Sequence, residues 1–411
     1  MFRKTLFWLH LVAGCVAGII ILVMSLTGVL LTYERQMLAY FERGPLRSEP
    51  PAGTSRMSVE ALTKAALSKG DVPREATLTL RADPREPVEV RAGREGGFYL
   101  NPYTGKVMEG GAGKGVASTL AKLRAWHRWL GVEGEGRNAA RAITGASNLL
   151  FLFIVVSGAY LWLPRRWAWQ NVRAVLVFRS EKTGKARDFN WHNVFGIWAL
   201  VPLFVVVIGA VPISYPWASD LVYRMAGEQP PPPLTKGKGA KGKGFAKKKR
   251  DGGGGEERRG EHGPAEAGAD TASTVDVNLL WAKAQGQAPG WQSISAPLVV
   301  AGGRPVSFTI DTGDGGQPQK RSTLVLRPDS GEVVRWERFE DATPGRQWRM
   351  WTRFAHTGEY YGMVGQTIAG VASFAGVMLV YTGIALALRR FWAWRGRRNR
   401  RAVEVVEAVG R

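Results

Sequence analysis

Four long stretches without a charged residue interrupt the chain, and they lie at residues 6–32, 142–163, 191–217 and 368–388. A helix rises 1.5 Å per residue, so about 20 apolar residues cross the ~30 Å hydrocarbon core of a bilayer. Each stretch has that length and predicts a transmembrane helix. The basic pair Arg3 and Lys4 also suits a signal peptide, but no small-residue cleavage site follows the first stretch. We therefore interpret that stretch as an uncleaved anchor.

The distribution of Lys and Arg predicts how these helices are oriented. Residues 164–190 carry 7 of them, and the segment after Leu388 carries 8 more. Because short cytoplasmic loops are enriched in Lys and Arg, we expect both segments and the N-terminus on the cytoplasmic side. The long loops at 33–141 and 218–367 then face the periplasm of a bacterial inner membrane.

The chain repeats one plan twice. The second apolar stretch is followed by Pro-Arg-Arg-Trp-Ala-Trp at 164–169, and the fourth by Arg-Arg-Phe-Trp-Ala-Trp at 389–394. Each half contains a span, an external domain, a segment with a histidine, and a second span. Two spans per half preserve orientation, so we expect parallel repeats related by an axis along the membrane normal.

Each external loop has the pattern of a small domain with a helix on antiparallel strands. Alternating polarity predicts strands at 77–80, 88–91, 307–311 and 323–326. Pro and Gly recur at one spacing in the turns 101–107 and 327–333. Ser58 is a candidate N-cap for a helix at 58–69. The predicted fold class is therefore an α-helical membrane protein of four spans and two parallel repeats, with two external α+β domains.

These signals divide the chain into consecutive parts. The predicted parts are a first transmembrane helix at 1–33, an external domain at 34–126, a histidine-bearing segment with the second helix at 127–170, a cytoplasmic loop at 171–190, a third helix at 191–217, a second external domain at 218–355, a histidine-bearing segment with the fourth helix at 356–395, and a cytoplasmic tail at 396–411. The insertion 229–270 is rich in Pro, Gly and Lys and predicts a disordered loop. A basic arm for anionic lipid or an acidic partner is the alternative.

Composition excludes several classes of function. The net charge is +22, from 56 Lys and Arg against 34 Asp and Glu. Much of the excess flanks the spans, where membrane orientation explains it, so we predict no binding to nucleic acid. Cys15 is the single cysteine, which rules out an internal disulfide or an iron–sulfur cluster held by this chain alone. No Gly-x-Gly-x-x-Gly follows a predicted strand, so no nucleotide site is indicated.

Four of the five histidines stand at the start of a membrane segment: His10, His127, His192 and His356. A histidine at membrane depth is costly and usually marks a site. The predicted topology places His10 and His192 at the cytoplasmic edge, and His127 and His356 at the external edge. Two imidazoles from different helices at one depth suit six-coordinate haem iron. A bare metal ion and simple interfacial anchoring are the alternatives.

Small residues accompany these histidines. Glycine follows His10, His127 and His192 at i+4, and Ser-Gly or Thr-Gly pairs lie within spans at 27–28, 157–158 and 382–383. They provide room for a flat macrocycle, or equally for close helix packing. Continuous helices through His127 and His356 would lift both roughly 20 Å above the apolar core, unless the glycines at 131–136 bend that segment back.

Arginines also lie near the external histidines, namely Arg124, Arg128, Arg349 and Arg353. Guanidinium pairs well with carboxylate, so these side chains are candidates for haem propionates, Arg128 and Arg353 in particular. Interfacial arginines that reach the headgroups are the alternative.

The chain resembles the PepSY-associated transmembrane proteins, and within them the inner-membrane reductases of ferric siderophores. The resemblance rests on His-Arg-Trp-Leu-Gly at 127–131, Asn-Pro-Tyr-Thr-Gly-Lys-Val at 101–107, Phe-Ala-His-Thr-Gly-Glu at 354–359 and the Arg-Arg closures. It covers nearly the whole chain except the insertion and the tail after about residue 396.

The resemblance implies two periplasmic PepSY-like domains and two haem b groups, with His10, His127, His192 and His356 as axial ligands of the iron. It also implies electron transfer from a quinol or a cytoplasmic reductase to a periplasmic ferric siderophore, with release of Fe(II). PepSY domains equally suit a membrane-anchored sensor or regulator of periplasmic peptidases without redox activity. Transport of siderophore or haem without net reduction is a third hypothesis.

Overall fold

The computed structural model describes residues 1–70, 72–73, 75–92, 96–108, 113–163, 168–179, 181–232, 276–300 and 304–409. Nearly all of the predicted disordered insertion lies outside these ranges, and so do His262 and the first Arg-Arg motif.

Helices and strands alternate along the described chain. The helices are α1 (Phe2–Leu31), α2 (Glu34–Leu38), α3 (Val59–Ser68), α4 (Gly113–Trp129), α5 (Arg137–Trp162), α6 (Trp169–Leu176), α7 (Gly184–Ser214), α8 (Pro216–Met225), α9 (Val277–Gln287), α10 (Pro344–His356) and α11 (Gly362–Val409). The strands are β1 (Thr77–Arg81), β2 (Val88–Ala92), β3 (Gly96–Leu100), β4 (Val107–Met108), β5 (Ser293–Pro297), β6 (Val306–Asp311), β7 (Arg321–Leu326) and β8 (Val333–Glu337). Short 3-10 or π turns of helix lie at Ala39–Arg43, Gly44–Leu46, Gly134–Gly136, Pro318–Lys320, Phe339–Asp341 and Glu359–Tyr361.

Four helices are long and apolar enough to cross a membrane, as the sequence predicts: α1, α5, α7 and α11. The predicted boundaries of two of them are wrong. The third span begins at Gly184 and ends at Ser214, where Tyr215 is extended and Pro216 starts the separate helix α8. The fourth helix continues to Val409, so the segment predicted as a tail extends the span as helix.

The four spans form a closed ring in which α1 contacts α5 and α11, and α7 contacts the same two helices. Small and branched side chains fill the middle of this ring, with Val155, Leu203 and Ala372 among the buried members. Large apolar side chains such as Val16 and Val201 are 70% exposed and face outward. An apolar surface of this kind around a helical ring suits lipid.

Basic side chains join the span ends on the side of the termini. Arg3 of α1 donates to the carbonyl oxygens of Leu161 and Leu163, at 2.6 and 2.9 Å. In the second half, Arg389 of α11 donates to the carboxylate of Asp188 on α7, which is fully buried. One residue of the second Arg-Arg motif therefore has a structural role, since a buried carboxylate needs a charged partner.

The strands of both halves form a single eight-stranded antiparallel sheet in the order β4-β3-β2-β1-β5-β6-β7-β8. The expectation of two separate external domains is therefore wrong. Strands β1 and β5 pair from Thr77 opposite Pro297 to Arg81 opposite Ser293. At the centre of this pairing, the hydroxyls of Thr79 and Ser295 lie 2.8 Å apart. Pairing removes one exposed strand edge from each half, and such edges are liable to aggregate.

Helices α3 and α9 cover one face of this sheet, and one core contains residues of both halves. Leu62 of α3 and Leu280 of α9 are buried in the same cluster as Phe308. Helix α3 begins as the sequence predicts, because the Ser58 hydroxyl accepts from the amide of Ala61. Asp276 caps α9 in the same way.

The two turns with the repeated Pro and Gly adopt the same hydrogen bonds. Gly105 donates to the carbonyl of Asn101 at 2.9 Å, and Gly331 donates to the carbonyl of Arg327 at 2.9 Å. Both glycines have a positive φ, of 66° and 62°, which side chains rarely adopt. These bonds support the prediction that the halves are repeats.

A buried carboxylate on β2 stabilises the polar face of the sheet. Glu89 accepts from Arg81 at 2.7 Å and from Arg91 at 2.5 Å. Burial raises the pKa of Glu89, but the two guanidinium groups lower it further, so the net pKa lies below the ordinary value.

We predict that Glu89→Gln destabilises the sheet by about 3 kcal/mol, because breaking a buried ion pair leaves charge uncompensated. Since the pKa of Glu89 is depressed, the stabilisation is present above its unfolded value of about 4.3 and is lost as pH falls through the folded value. Thermal unfolding in detergent, followed by circular dichroism, measures the change. The control is Glu60→Gln, which removes an exposed pair with Lys64 worth about 0.5 kcal/mol or less. Equal effects of the two variants would contradict the prediction.

Candidate functional site

The four histidines singled out by the sequence lie on two kinds of helix. His10 and His192 lie on the spans α1 and α7. His127 lies near the end of the short helix α4, and His356 is the last residue of α10. The expectation that all four begin a membrane helix is wrong for His127 and His356, because each ends the helix before a span.

Turns with left-handed residues separate these short helices from the spans that follow. After α4, Leu130, Gly131 and Gly134 have φ of 54°, 74° and 64°. After α10, Gly358 and Gly362 have φ of 75° and 62°. A continuous helix is impossible through such residues. The predicted bend is confirmed, and Gly131 forms the turn instead of a helix face.

As a result, His127 and His356 pack against the spans instead of rising above them. The Nδ1 atom of His127 lies 3.0 Å from the Thr27 hydroxyl and 3.0 Å from the carbonyl oxygen of Met24, both on α1. The Nδ1 atom of His356 lies 2.7 Å from the carbonyl oxygen of Val206 on α7. Both imidazoles are therefore at the depth of the last turns of these spans.

The structure brings His127 and His356 together as the sequence predicts. Their ring centroids are 6.1 Å apart, and the ring planes differ by 46°. A metal–imidazole bond is about 2 Å and the ring centre lies about 1 Å behind the nitrogen, so two imidazoles on opposite sides of one metal have centroids about 6 Å apart. The observed spacing fits that arrangement.

His10 and His192 form the corresponding pair near the side of the termini. The two rings are close enough to interact electrostatically. The Nδ1 atom of His10 lies 2.9 Å from the hydroxyl of Ser157 on α5. The Nδ1 atom of His192 lies 2.9 Å from the hydroxyl of Thr382 on α11. Each ring thus bonds to the neighbouring span of its own half.

All four histidines therefore use Nδ1 for a bond to another helix. Among the residues that the structure describes, no hydrogen bond engages Nε2 of any of them. A histidine that ligates a metal commonly binds through one nitrogen while the other bonds to a protein acceptor. The four Nε2 atoms are accordingly the candidate ligand atoms.

Glycines provide the space for these rings. A Cβ added at Gly158 would lie 3.3 Å from Cε1 of His10, and one at Gly383 would lie 3.5 Å from Cε1 of His192. At the other end of the spans, a Cβ at Gly28 would lie 3.7 Å from Cε1 of His127. Each Ser-Gly or Thr-Gly pair seen in the sequence thus contacts one histidine ring. The hydroxyl forms a hydrogen bond with Nδ1, and the glycine leaves space for the ring. Sequence reasoning noted the pairs but did not assign them to individual histidines.

The two histidine pairs lie at opposite ends of the spans. From His10 to the seat of His127 at Gly28 is about 27 Å along α1, at 1.5 Å per residue. From His192 to Gly209, which contacts His356, is about 26 Å along α7. These distances approach the ~30 Å thickness of the hydrocarbon core.

Of the four arginines predicted near His127 and His356, two have other partners. Arg124 pairs with Glu34, and Arg349 donates to the Ser219 hydroxyl at 2.8 Å and to the Pro212 carbonyl at 3.0 Å. In the described part of the chain, Arg128 and Arg353 have no carboxylate partner, although they interact electrostatically with each other. These two remain candidates for an anionic ligand.

Residues 7–390 match the family model described as the PepSY-associated TM region. The match includes both halves and all four histidines. The chain belongs to the PepSY-associated TM family. A search of curated proteins finds no match.

The donor set of this PepSY-associated TM protein suits haem better than a bare ion. Among the described residues, no group of three or more His, Cys, Asp or Glu side chains is arranged to hold a metal ion. Two imidazoles alone are a poor zinc or manganese site. If a porphyrin is bound, the two histidines of a pair would hold its iron, and the iron would supply one-electron chemistry there.

We predict opposite effects for alanine at two helical glycines of this PepSY-associated TM protein. A Cβ at Gly209 would lie 2.6 Å from the Thr352 carbonyl oxygen and 3.2 Å from Cβ of His356, whereas nothing lies within 4 Å of one at Gly14. Gly209→Ala should push α10 from α7 and cost about 1–3 kcal/mol. Gly14→Ala should be neutral or stabilising by up to about 1 kcal/mol, since alanine favours helix. Thermal unfolding in detergent tests this; a stabilising Gly209→Ala would contradict the close contact.

Proposed function

We propose that this protein is a haem-b-containing inner-membrane reductase that passes electrons across the membrane to a periplasmic ferric siderophore and releases Fe(II). The observation that carries the proposal is the 6.1 Å spacing of the His127 and His356 rings, with Nδ1 bonded to a span in each. The His10 and His192 pair at the other end of the same spans supports a second haem. Haem iron would supply reversible one-electron chemistry at each pair.

The charges at the two ends of the spans support the orientation. Arg173, Arg179, Lys182, Lys185 and Arg187 lie in or beside the short connection from α5 to α7. Under the positive-inside rule this connection and both termini are cytoplasmic, and the sheet is periplasmic. Electrons then enter at His10 and His192, from a quinol or a cytoplasmic reductase, and leave at His127 and His356.

The stoichiometry follows from one-electron steps. Each Fe(III) in a siderophore takes up one electron and becomes Fe(II), for which ligands that prefer Fe(III) have lower affinity. A quinol donor would supply two electrons and two protons, and would therefore reduce two ferric siderophores. Between the two histidine pairs, the buried apolar side chains of Val155, Leu203 and Ala372 exclude water, and therefore protons, from the proposed electron path.

We do not place the substrate in a cleft between two domains, because β1 and β5 join the two halves in one sheet. The face of the sheet opposite α3 and α9 carries polar side chains such as Thr79 and Ser295. It also carries Glu89 and Tyr99, which interact with Glu42 in the segment after α2. This face lies on the same side as the outer histidine pair, and we propose it for the ferric siderophore.

The first test is the haem content of the purified full-length protein. We expect two b-type haems per chain, with an α-band on reduction. His127→Ala and His356→Ala should each remove the same haem and leave the other, because both rings belong to one pair. His262→Ala, which changes the fifth histidine of the sequence, is the matched control and should retain both haems. A colourless protein would contradict the proposal and favour the sensor hypothesis.

The second test is ferric reduction. Chemically reduced protein in detergent or vesicles, mixed with a ferric siderophore, should be reoxidised as Fe(II) appears in a ferrous-specific chelator. His356→Ala should abolish this release, and His262→Ala should not. Transport without reduction would instead leave the protein reduced and yield no Fe(II).

We also predict a role for the two unpaired arginines. Arg353→Gln and Arg128→Gln should weaken retention of the outer haem roughly tenfold or more each, as loss of a charge-assisted bond to a carboxylate costs about 1.5–3 kcal/mol. Arg346→Gln is the control, because Arg346 is another arginine of α10 and lies almost three turns from His356. Haem transfer to excess apomyoglobin measures retention. Equal retention in all three variants would exclude propionate binding by Arg128 and Arg353.

A further inference from the structure

The partners of the four Nδ1 atoms differ in a way that bears on redox tuning. The Ser157 hydroxyl lies 2.9 Å from Nδ1 of His10. The same hydroxyl donates to carbonyl oxygens of its own helix, Phe153 at 2.7 Å and Ile154 at 3.2 Å. Ser157 is 3% exposed, so solvent does not compete for these bonds.

Donor counting assigns a tautomer to His10. A hydroxyl has one hydrogen and two acceptor lone pairs. With that hydrogen on the Phe153 carbonyl, which at 2.7 Å is the nearest acceptor, the hydroxyl oxygen accepts from the imidazole. Nδ1 of His10 then carries the proton, and Nε2 keeps the lone pair.

The same logic applies to the other rings, with one difference. The hydroxyls of Thr27 and Thr382 also donate to their own helices, to Val23 at 2.7 Å and to Met378 at 2.7 Å. His127 has the Met24 carbonyl as a second acceptor, whereas among the described residues the Thr382 hydroxyl is the one hydrogen-bond partner of Nδ1 of His192. His356 bonds to the Val206 carbonyl, which can only accept.

We infer that Ser157 is a positioning residue whose hydroxyl holds His10 as the Nδ1–H tautomer and sets the basicity of its Nε2 atom. His10 and His192 depend most on their hydroxyls, because in the described part of the chain Ser157 and Thr382 are the one Nδ1 partner of each. Thr27 acts in the same way on His127 but shares the task with the Met24 carbonyl. The redox consequence rests on the proposed function.

A bond from Nδ1–H to an acceptor raises the basicity of the ligating nitrogen. A more basic ligand stabilises Fe(III) over Fe(II) and lowers the reduction potential, since hydrogen bonding around the ligands is one of the ways a protein tunes haem. Removing the Ser157 hydroxyl should therefore raise the potential of the haem bound by His10. Removing the Thr27 hydroxyl should change much less, because the Met24 carbonyl still accepts.

The experiment is a potentiometric titration of the full-length protein in detergent, with haem content measured in parallel. We expect Ser157→Ala to shift one haem positively by about tenfold in the reduction equilibrium, which is about 59 mV for one electron. Ser157→Thr keeps the hydroxyl and should remain near the wild type, whereas Thr27→Val should shift the other haem by much less than tenfold, because the Met24 carbonyl still accepts. Loss of one haem in Ser157→Ala, with retention in Ser157→Thr, supports the same role.

Two results would overturn the inference: an unchanged potential in Ser157→Ala with both haems present, or an equal shift in Thr27→Val. Nitrogen-15 NMR of labelled histidine in the wild-type protein separates this inference from the proposed function. A colourless protein in which His10 is the Nδ1–H tautomer disproves the haem proposal and keeps the assignment of Ser157. A colourless protein with the proton on Nε2 disproves both.

Discussion

The structure depends on how four partly buried imidazoles bond through Nδ1 inside a ring of apolar helices. A polar nitrogen without a partner is expensive in such a place. Each histidine meets this requirement at Nδ1 with a bond to another helix, at 2.7 to 3.0 Å, and keeps Nε2 available for a ligand. Such a bond requires two helices to approach closely, and that in turn requires small residues at the contact. The histidine rings therefore explain the glycines at positions 158, 383 and 28 as well as helix packing does.

The same requirement explains why His127 and His356 lie on short helices before the spans. If each short helix continued straight into the span that follows it, its histidine would lie beyond the end of that span and could not reach the interior of the helical ring. The left-handed turns at Gly131 and Gly358 solve this by reversing the chain, so that α4 and α10 reach back to α1 and α7. The sheet then holds these reversals in place. Arg35, just after α1, bonds to Glu359 in the turn after α10 and to the Gly315 carbonyl in the loop between β6 and β7.

Much of this architecture can be predicted from the sequence, because spans, helix caps and strands depend on local sequence patterns. Uncharged length predicts four spans, and the Ser58 cap and the alternation at 77–80 predict a helix and strands that the structure contains. The meeting of His127 with His356 follows from topology, since each precedes a span and these two spans run in the same direction. The pairing of β1 with β5 does not follow, because a strand edge carries no local signal of its partner. The chain reversals were only partly visible: Gly131 predicts a bend, but its direction depends on tertiary contacts.

The arginines beside the outer pair are not explained by stability alone. Burial and the neighbouring charges of Arg141, Arg124 and Arg353 lower the pKa of Arg128 from its ordinary value, which means that its charged form is held at a cost. Arg124 has Glu34 as a counterion, yet Arg128 and Arg353 have no carboxylate partner in the described chain. Both side chains are exposed, so their guanidinium groups are free to bind an anion in the charge-assisted way that arginine favours. Arg128 is next to His127, and Arg353 lies about one turn before His356 on α10, so an anion that contacted both guanidinium groups would lie beside the pair of rings. A porphyrin with carboxylate side chains would engage the arginines and the rings together, whereas a bare metal ion would engage only the rings and a lipid headgroup only the arginines.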